Sequence, residues 1–320
     1  MDRLIKKIRR LGLGCYVLGK FLGIFVYADD IFLLCPSRSG LQAMVTECQE
    51  FAKENNLVFS VNSNPEKSKT KCIIFNKKSI DTTKVPQIML DKDPLPWVHS
   101  LKHLGVTLET DNSMSIDISQ KRGSFIGKIY SLRQEFHFVK PSVLMKIFSI
   151  YTLSFYGSAL WNLFSKECKR IYSSYNILVR TTFGLPREAH RYFIESVSES
   201  SHVQVLMASR LVKFHNLMLQ SKRPEITLLA TMNEKDSRTR HGNNLLKITI
   251  ECDTNIEDIA SQTVKENMKF FHVPQQDEWK ISIVNELLKD QSDHSHMNEF
   301  DRNDRKCPSK THFNTQCRIG

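Results

Sequence analysis

Between Gly23 and Pro36 the chain reads Gly-Ile-Phe-Val-Tyr-Ala-Asp-Asp-Ile-Phe-Leu-Leu-Cys-Pro, with two adjacent carboxylates set between two of its most apolar runs. Residues 22–27 and 31–35 are short, aromatic and β-branched, and only Ala28, Asp29 and Asp30 separate them. This pattern predicts a β-hairpin closed by a tight loop. Neighbouring side chains of a regular strand point to opposite faces, whereas a turn can swing both carboxylates toward one place. The structural alternative is a solvated turn, because Asp is a common turn residue.

After Pro36 the period changes. Leu41, Met44, Val45, Cys48, Phe51 and Ala52 recur at helical spacing, with Ser37 or Ser39 as a cap and Asn55-Asn56 closing the run. Residues 57–61 and 72–75 read as strands joined by the basic loop 64–71, and a second strand pair is expected around 87–90 and 101–108, alternating about Gly105. Residues 1–110 are therefore expected to be α+β. Segments 117–138, 141–164 and 166–183 carry apolar residues at three and four spacing, punctuated by Pro141 and by Gly184-Leu-Pro186. Segment 190–220 continues as helix, with Val203, Leu206, Met207, Arg210, Leu211, Phe214 and Leu217 on one side. The region 111–221 is thus read as all-helical. Beyond Lys222 the signal decays into polar clusters, an apolar patch at 245–250 and a local helix at 279–289, so 222–320 is read as a loosely structured tail.

Forty-five Lys and Arg against 34 Asp and Glu leave a formal charge of +11, which points to a polyanionic partner, nucleic acid before membrane. A positively charged soluble surface is the alternative. Between residues 121 and 191 there are 12 basic residues against 3 acids. Lys121, Arg122, Lys128, Arg133, Lys140, Lys146, Lys169, Arg170, Arg180, Arg187 and Arg191 are interleaved there with Tyr130, Phe136, Tyr151, Tyr156, Tyr172 and Tyr175. Cations for phosphates and rings for stacking are the ingredients of a nucleic-acid groove; in the alternative, the rings are core and the charges are solvated. Eight singly placed cysteines with no CxxC pair read as reduced thiols, hence a cytoplasmic or nuclear chain. The basic N-terminus ahead of Leu11–Ala28 imitates a signal peptide, but Lys20 interrupts the run and Asp29-Asp30 closes it, so secretion is not expected. No segment has the roughly 20 uninterrupted apolar residues of a membrane span.

The order Phe-x-Tyr-Ala-Asp-Asp-x-x-Leu-Leu, Leu41-Gln-Ala-Met, Cys48-x-x-Phe-Ala, Lys69-Thr-Lys-Cys-Ile-Ile-Phe75 and Lys102-His-Leu-Gly-Val106 resembles the reverse transcriptases of non-LTR (LINE-type) retrotransposons, from the catalytic hairpin of the palm into the thumb. Arg9-Arg-Leu-Gly-Leu-Gly-Cys15 looks like the segment ahead of that hairpin, and Trp161-Asn, Tyr175-Asn-Ile-Leu-Val-Arg180 and Phe183-Gly-Leu-Pro-Arg-Glu-Ala-His-Arg-Tyr192 resemble the region after the palm. The likeness covers roughly residues 8–225. It implies a partial palm (a β-hairpin sheet with a packed helix) followed by a helical thumb-like region. The implied activity is RNA-directed DNA polymerisation: Asp29 and Asp30 as Mg²⁺ ligands, Asp29 the more direct, and Lys69 beside the incoming deoxynucleoside triphosphate, with Lys67 and Lys71 as other registers. Tyr27 would shape the hairpin near the primer end, and Leu104-Gly105 would serve as the primer-grip turn. Nucleic-acid contacts would come from Tyr27, Gly105, Lys121, Arg122, Lys128 and Arg133, and the partners would be an RNA template and primer DNA, or an RNA–DNA duplex.

These polymerases complete the metal site with a further aspartate on an earlier palm strand. Only 28 residues precede Asp29 here, and their one acid is Asp2 in a basic, helix-like segment. The expectation is therefore a truncated copy without fingers or the third carboxylate, with exposed strand edges and poor solubility. Its alternative is a catalytically inactive remnant that at most binds RNA or RNA–DNA duplex. Cys307, His312 and Cys317 offer three ligand types in a spacing that matches no standard tetrahedral zinc site, and a polar tail is the better reading of them.

Overall fold

A computed structural model describes residues 1–62, 64–76, 81–189, 194 and 202–252. Helix α1 (Asp2–Arg10) is followed by β1 (Tyr16–Val17), β2 (Lys20–Phe21), β3 (Ile24–Tyr27), β4 (Asp30–Leu33) and α2 (Arg38–Glu54). Then come β5 (Ile88–Leu90), β6 (Asp93–Leu95), β7 (Ser100–His103) and β8 (Val106–Glu109). Helices α3 (Ser115–Glu135), α4 (Pro141–Tyr151), α5 (Lys166–Thr182), α6 (Val203–Leu219), α7 (Pro224–Lys235) and α8 (Arg240–Cys252) complete the described chain. The fold is mixed α+β, and its strands form antiparallel two-stranded hairpins: β1–β2, β3–β4, β5–β6 and β7–β8.

Helix α2 organises the first hundred residues. Ser37 caps it, its hydroxyl accepting from the Gly40 amide at 3.1 Å. Met44, Cys48 and Phe51 face Leu4 and Ile8 of α1 and the inner side of β3–β4, while Val45 faces Ile88, Leu90 and Leu95 of β5–β6. The polar flank of α2 closes the free edge of β5. The Gln42 amide pairs with both the N–H and the carbonyl of Met89 at 2.8 Å, Gln49 accepts from the Asp91 amide at 2.9 Å, and Arg38 donates to the carbonyls of Pro86 and Gln87. Side chains thereby take the place of a neighbouring strand.

Strand pairing differs from expectation in two ways. Residues 57–61 and 72–75 do not form strands; Cys72 alone makes an isolated parallel bridge to Trp97. Val58 is 94% exposed while Phe59 and Val61 pack against the α2 core and Cys72 is buried in it, so these segments are held by side-chain packing without strand pairing. Ile88–Leu90 and the strands around Gly105 also do not pair with each other. Each closes its own hairpin, β5 with β6 and β7 with β8, through two-residue loops. Leu104 and Gly105 both have positive φ (46° and 76°), which the mirror-image hairpin turn demands.

Two cores in the first part of the chain, from Leu4 to Leu95, give way to one large core from Val106 to Ile248, centred on Phe125, Phe148, Trp161 and Tyr175. Helix α4 was expected to reach residue 164 and stops at Tyr151, because Phe155 (φ 32°) and Gly157 (φ 81°) turn the backbone left-handed ahead of a 3-10 turn at Ser158–Leu160. Helix α5 starts at its Ser165 cap. In α6 the buried stripe is Val203, Met207, Ala208, Leu211, Val212 and His215. Leu217, expected on the apolar side, is 67% exposed.

Residues 222–252 are not loose tail. They form α7 and α8, and Ala230, Leu245 and Ile248 are buried. Asn244, also buried, donates to the Trp161 carbonyl at 2.7 Å and accepts from the Leu163 amide at 3.2 Å, a polar anchor that apolar periodicity does not register. Residues 253–320, including the expected helix at 279–289 and Cys307, His312 and Cys317, lie outside the described residues, as do Arg191 and Tyr192. Cys15, Cys35, Cys48, Cys72 and Cys168 are free thiols, and burial pushes Cys48, Cys72 and Cys168 up to about 12. No helix among the described residues is long and apolar enough to cross a membrane.

Helices α6, α7 and α8 meet at two histidines. His215, fully buried, has Nδ1 3.2 Å from Nε2 of His241 and Nε2 3.8 Å from the Glu234 carboxylate. Burial lowers the pKa of His215 against the opposing pull of Glu234, and burial together with His215 lowers that of His241 to about 4. An unfolded histidine titrates near 6.5, so below that pH the unfolded chain binds more protons than the folded one. Stability is therefore complete above about pH 6.5 and declines as pH falls toward about 4. Thermal melts between pH 7.5 and 5 should show a falling midpoint, and His241→Gln should flatten the slope; a midpoint independent of pH in the parent chain would contradict the assignment.

Candidate functional site

Gly23 opens the β3–β4 hairpin, and a Cβ there would lie 2.4 Å from the Phe21 ring. Pairing runs Ile24 to Leu33, Phe25 to Phe32, Val26 to Ile31 and Tyr27 to Asp30. Ala28 and Asp29 are thus the two loop residues, and Ala28 takes the left-handed conformation (φ 52°) that the loop requires. Cross-strand partners share a face. Ile24, Val26, Ile31 and Leu33 form the inner face, three of them packed against the α1–α2 core. Phe25, Tyr27, Asp30 and Phe32 form the other.

That second face leads to β7–β8. The Phe32 and His103 rings stack with centroids 5.1 Å apart and planes 26° apart. His103 is the last residue of β7 and immediately precedes the Leu104-Gly105 turn. Two motifs far apart in the sequence therefore share one side of the molecule. Tyr27 is 67% exposed, and Asp29 and Asp30 are exposed. Neither carboxylate has a hydrogen-bond or ion-pair partner among the described residues.

Adjacent exposed carboxylates present hard oxygen donors with room for water, the chemistry that suits Mg²⁺. Among the described residues no group of three or more His, Cys, Asp or Glu is placed to hold a metal ion. Asp29 and Asp30 are the two carboxylates at this tip, and among the described residues no third His, Cys, Asp or Glu joins them.

Lys69 is exposed on the loop between residues 62 and 72, which is held by the Ser68 hydroxyl donating to the Thr70 carbonyl at 2.7 Å. Of the neighbouring registers, Lys67 is exposed and Lys71 folds back to the Glu66 carbonyl at 3.4 Å. Among the described residues no hydrogen bond or ion pair joins this loop to Asp29 or Asp30.

The basic residues divide sharply. Lys121 was a candidate phosphate contact, but its ammonium donates to both oxygens of Asp117 at 2.9 Å and to the Gly105 carbonyl at 3.2 Å, which engages all three of its donors. Arg122 donates through Nε to the Ser174 hydroxyl at 3.0 Å, tying α3 to α5. Lys128 is exposed and Arg133 half-buried. Among the aromatics, Tyr172 and Tyr175 are core, whereas Tyr130, Tyr151 and Tyr156 are more than 60% exposed. Gly105 packs against Tyr156, whose ring would stand 3.2 Å from an added Cβ, so close packing as well as turn geometry favours glycine.

Two acids that the sequence reading passed over carry the join between hairpin and helices. Asp117, 2% exposed, accepts from the Thr107 amide at 3.0 Å and from the Trp161 indole at 2.8 Å in addition to Lys121. Glu109 accepts from the Ile116 amide at 2.9 Å and from the hydroxyls of Ser113 and Ser115, capping α3. The available signal was Asp117 standing four residues before Lys121 on a helix.

No protein-family model matches the chain, and no curated protein matches it significantly in sequence.

Removing Asp117 leaves the Lys121 ammonium, the Thr107 amide and the Trp161 indole without their acceptor. Asp117→Ala should lower unfolding free energy by about 3–5 kcal/mol, whereas the exposed pair Asp29→Ala, Asp30→Ala should change it by less than about 1 kcal/mol. Urea titration of the three chains measures this; equal effects would mean the two acidic sites have been given the wrong roles.

Proposed function

We propose that this chain is the C-terminal palm and thumb portion of a non-LTR retrotransposon reverse transcriptase, and that it holds the end of an RNA–DNA primer–template duplex. The observation that carries this reading is the Phe32–His103 stack, which sets the face bearing Tyr27 and Asp30 beside the Leu104-Gly105 turn. In the family resembled, the residues matching these two stretches form the catalytic hairpin and the primer grip, and a duplex end needs both within reach.

Each residue then has a task. Asp29 and Asp30 are the metal ligands, and a bound Mg²⁺ would supply activation of the primer hydroxyl and charge stabilisation at the phosphate. Tyr27 offers an exposed ring to the terminal base pair. Lys128, with the exposed rings of Tyr130 and Tyr151, lines the solvent side of the helices, where phosphates are met. A second reading, duplex binding without polymerisation, is favoured by one observation: the described residues bring only two acids to the hairpin tip.

Fluorescence anisotropy of a labelled RNA–DNA duplex over a salt series tests the shared core of both readings. Affinity should fall linearly in log–log form with salt, and Lys128→Ala should weaken binding uniformly across sequences while reducing the slope by about 1. Absence of binding at low salt by the folded chain would remove the proposal.

A further inference from the structure

Beyond the exposed residues, one half-buried ammonium touches the turn that this reading sets against the duplex. Strand β8 and the turn before it present Gly105, Thr107 and Glu109 at alternate positions, and all three are tied to α3. Gly105 gives its carbonyl to Lys121. Thr107 donates its amide to Asp117 and its hydroxyl to Gln120 at 3.2 Å. Glu109 receives the first turn of the helix. The last of these caps α3 and the middle one closes a buried polar network, but the first holds a turn that is exposed. The Leu104-Gly105 loop is closed by two residues in the left-handed conformation, and the ammonium of Lys121 reaches up from the helix to hold its carbonyl. The same ammonium lies 5.8 Å from the ring centroids of both Tyr156 and Trp161, so aromatic faces confine it. On the other side of the turn His103 rests on Phe32 of the hairpin.

We propose that Lys121 is a positioning residue: held by Asp117 and walled by Tyr156 and Trp161, it fixes the Gly105 carbonyl and so sets the Leu104-Gly105 turn at the height where a primer 3′ end meets Tyr27 and Asp30. The inference rests on the duplex-binding reading and adds to it a residue that never touches nucleic acid. Its charge is spent on Asp117 and the Gly105 carbonyl, which is why its position in a basic helix misleads a reading from composition. An uncompensated Asp117 would be costly in Lys121→Met alone, so the informative variant is Asp117→Asn, Lys121→Met, which removes both charges and the tether while leaving an amide to accept from Thr107 or Trp161.

The test uses the full chain and a DNA primer on an RNA template, with 2-aminopurine at the primer 3′ terminus. At saturating parent chain the emission should change as the terminal base is gripped. In the double variant duplex affinity should stay within about threefold while the emission change falls below about half of the parent's, and Lys121→Arg, which restores a cation able to reach both Asp117 and Gly105, should recover it. A purely structural role would lower affinity and signal together. An emission change equal to the parent's in the double variant overturns the inference and leaves the duplex-binding reading standing; no duplex binding by the parent overturns both. Hydrogen exchange on the parent chain needs no variant: duplex should slow residues 103–107 and 117–121 together, and slowing that spares 117–121 would also overturn the inference.

Discussion

The ion pair between Asp117 and Lys121 is the point on which the two parts of this protein depend. A carboxylate only 2% exposed can remain charged only where donors surround it, and Asp117 has the Lys121 ammonium, the Thr107 amide and the Trp161 indole. Each donor comes from a different place: the same helix, the hairpin before it, and the segment after α4. Satisfying one buried charge therefore fixes β8, α3 and Trp161 with respect to one another. Glu109 extends the seam by capping α3, so strand and helix meet through polar contacts along one side while Val106 and Ile118 enter the apolar core.

A second constraint comes from the sheets. An isolated two-stranded hairpin is marginal in water, and each hairpin here is two-stranded. Each survives because something other than a third strand covers it. Helix α2 supports β3–β4 with apolar side chains and closes the edge of β5 with Gln42, Gln49 and Arg38. Helix α3 supports β8. On the face of β3–β4 that carries Tyr27 and Asp30, Phe32 stacks on His103, and the tip stands in solvent. The functional reading lives on that uncovered face.

Much of the scaffold was legible in the sequence, for physical reasons that also mark where legibility ended. The hairpin at Asp29-Asp30 and helix α2 with its Ser37 cap follow from local periodicity and turn chemistry, and both form where expected. Pairing is a non-local choice. The strands at 88–90 and 101–108 each found a neighbour across a two-residue loop, where closure is least costly in entropy. The end of α4 is set by left-handed Phe155 and Gly157, and a left-handed phenylalanine carries no sequence signature. Helices α7 and α8 were missed because the anchor of α8 is Asn244, a polar residue that ranks as loop-forming until its partners, the backbone of Trp161 and Leu163, are known. At the candidate site the turn carrying Tyr27, Asp29 and Asp30 could be named from sequence, whereas the pairing of Lys121 with Asp117 could not, since a lysine facing a phosphate and one facing Asp117 look alike in a basic helix.

The central claim is that the hairpin tip and the Leu104-Gly105 turn form one metal-dependent site for a duplex end. Fe²⁺ in place of Mg²⁺, with ascorbate and peroxide, cleaves backbone close to where the ion sits, and mass spectrometry of the duplex-bound chain locates the cuts. The account expects cleavage at residues 27–31 and 103–106 together, lost in both places in Asp29→Asn, Asp30→Asn. Cuts confined to other parts of the chain, or cuts at the hairpin that persist in that variant, would contradict it.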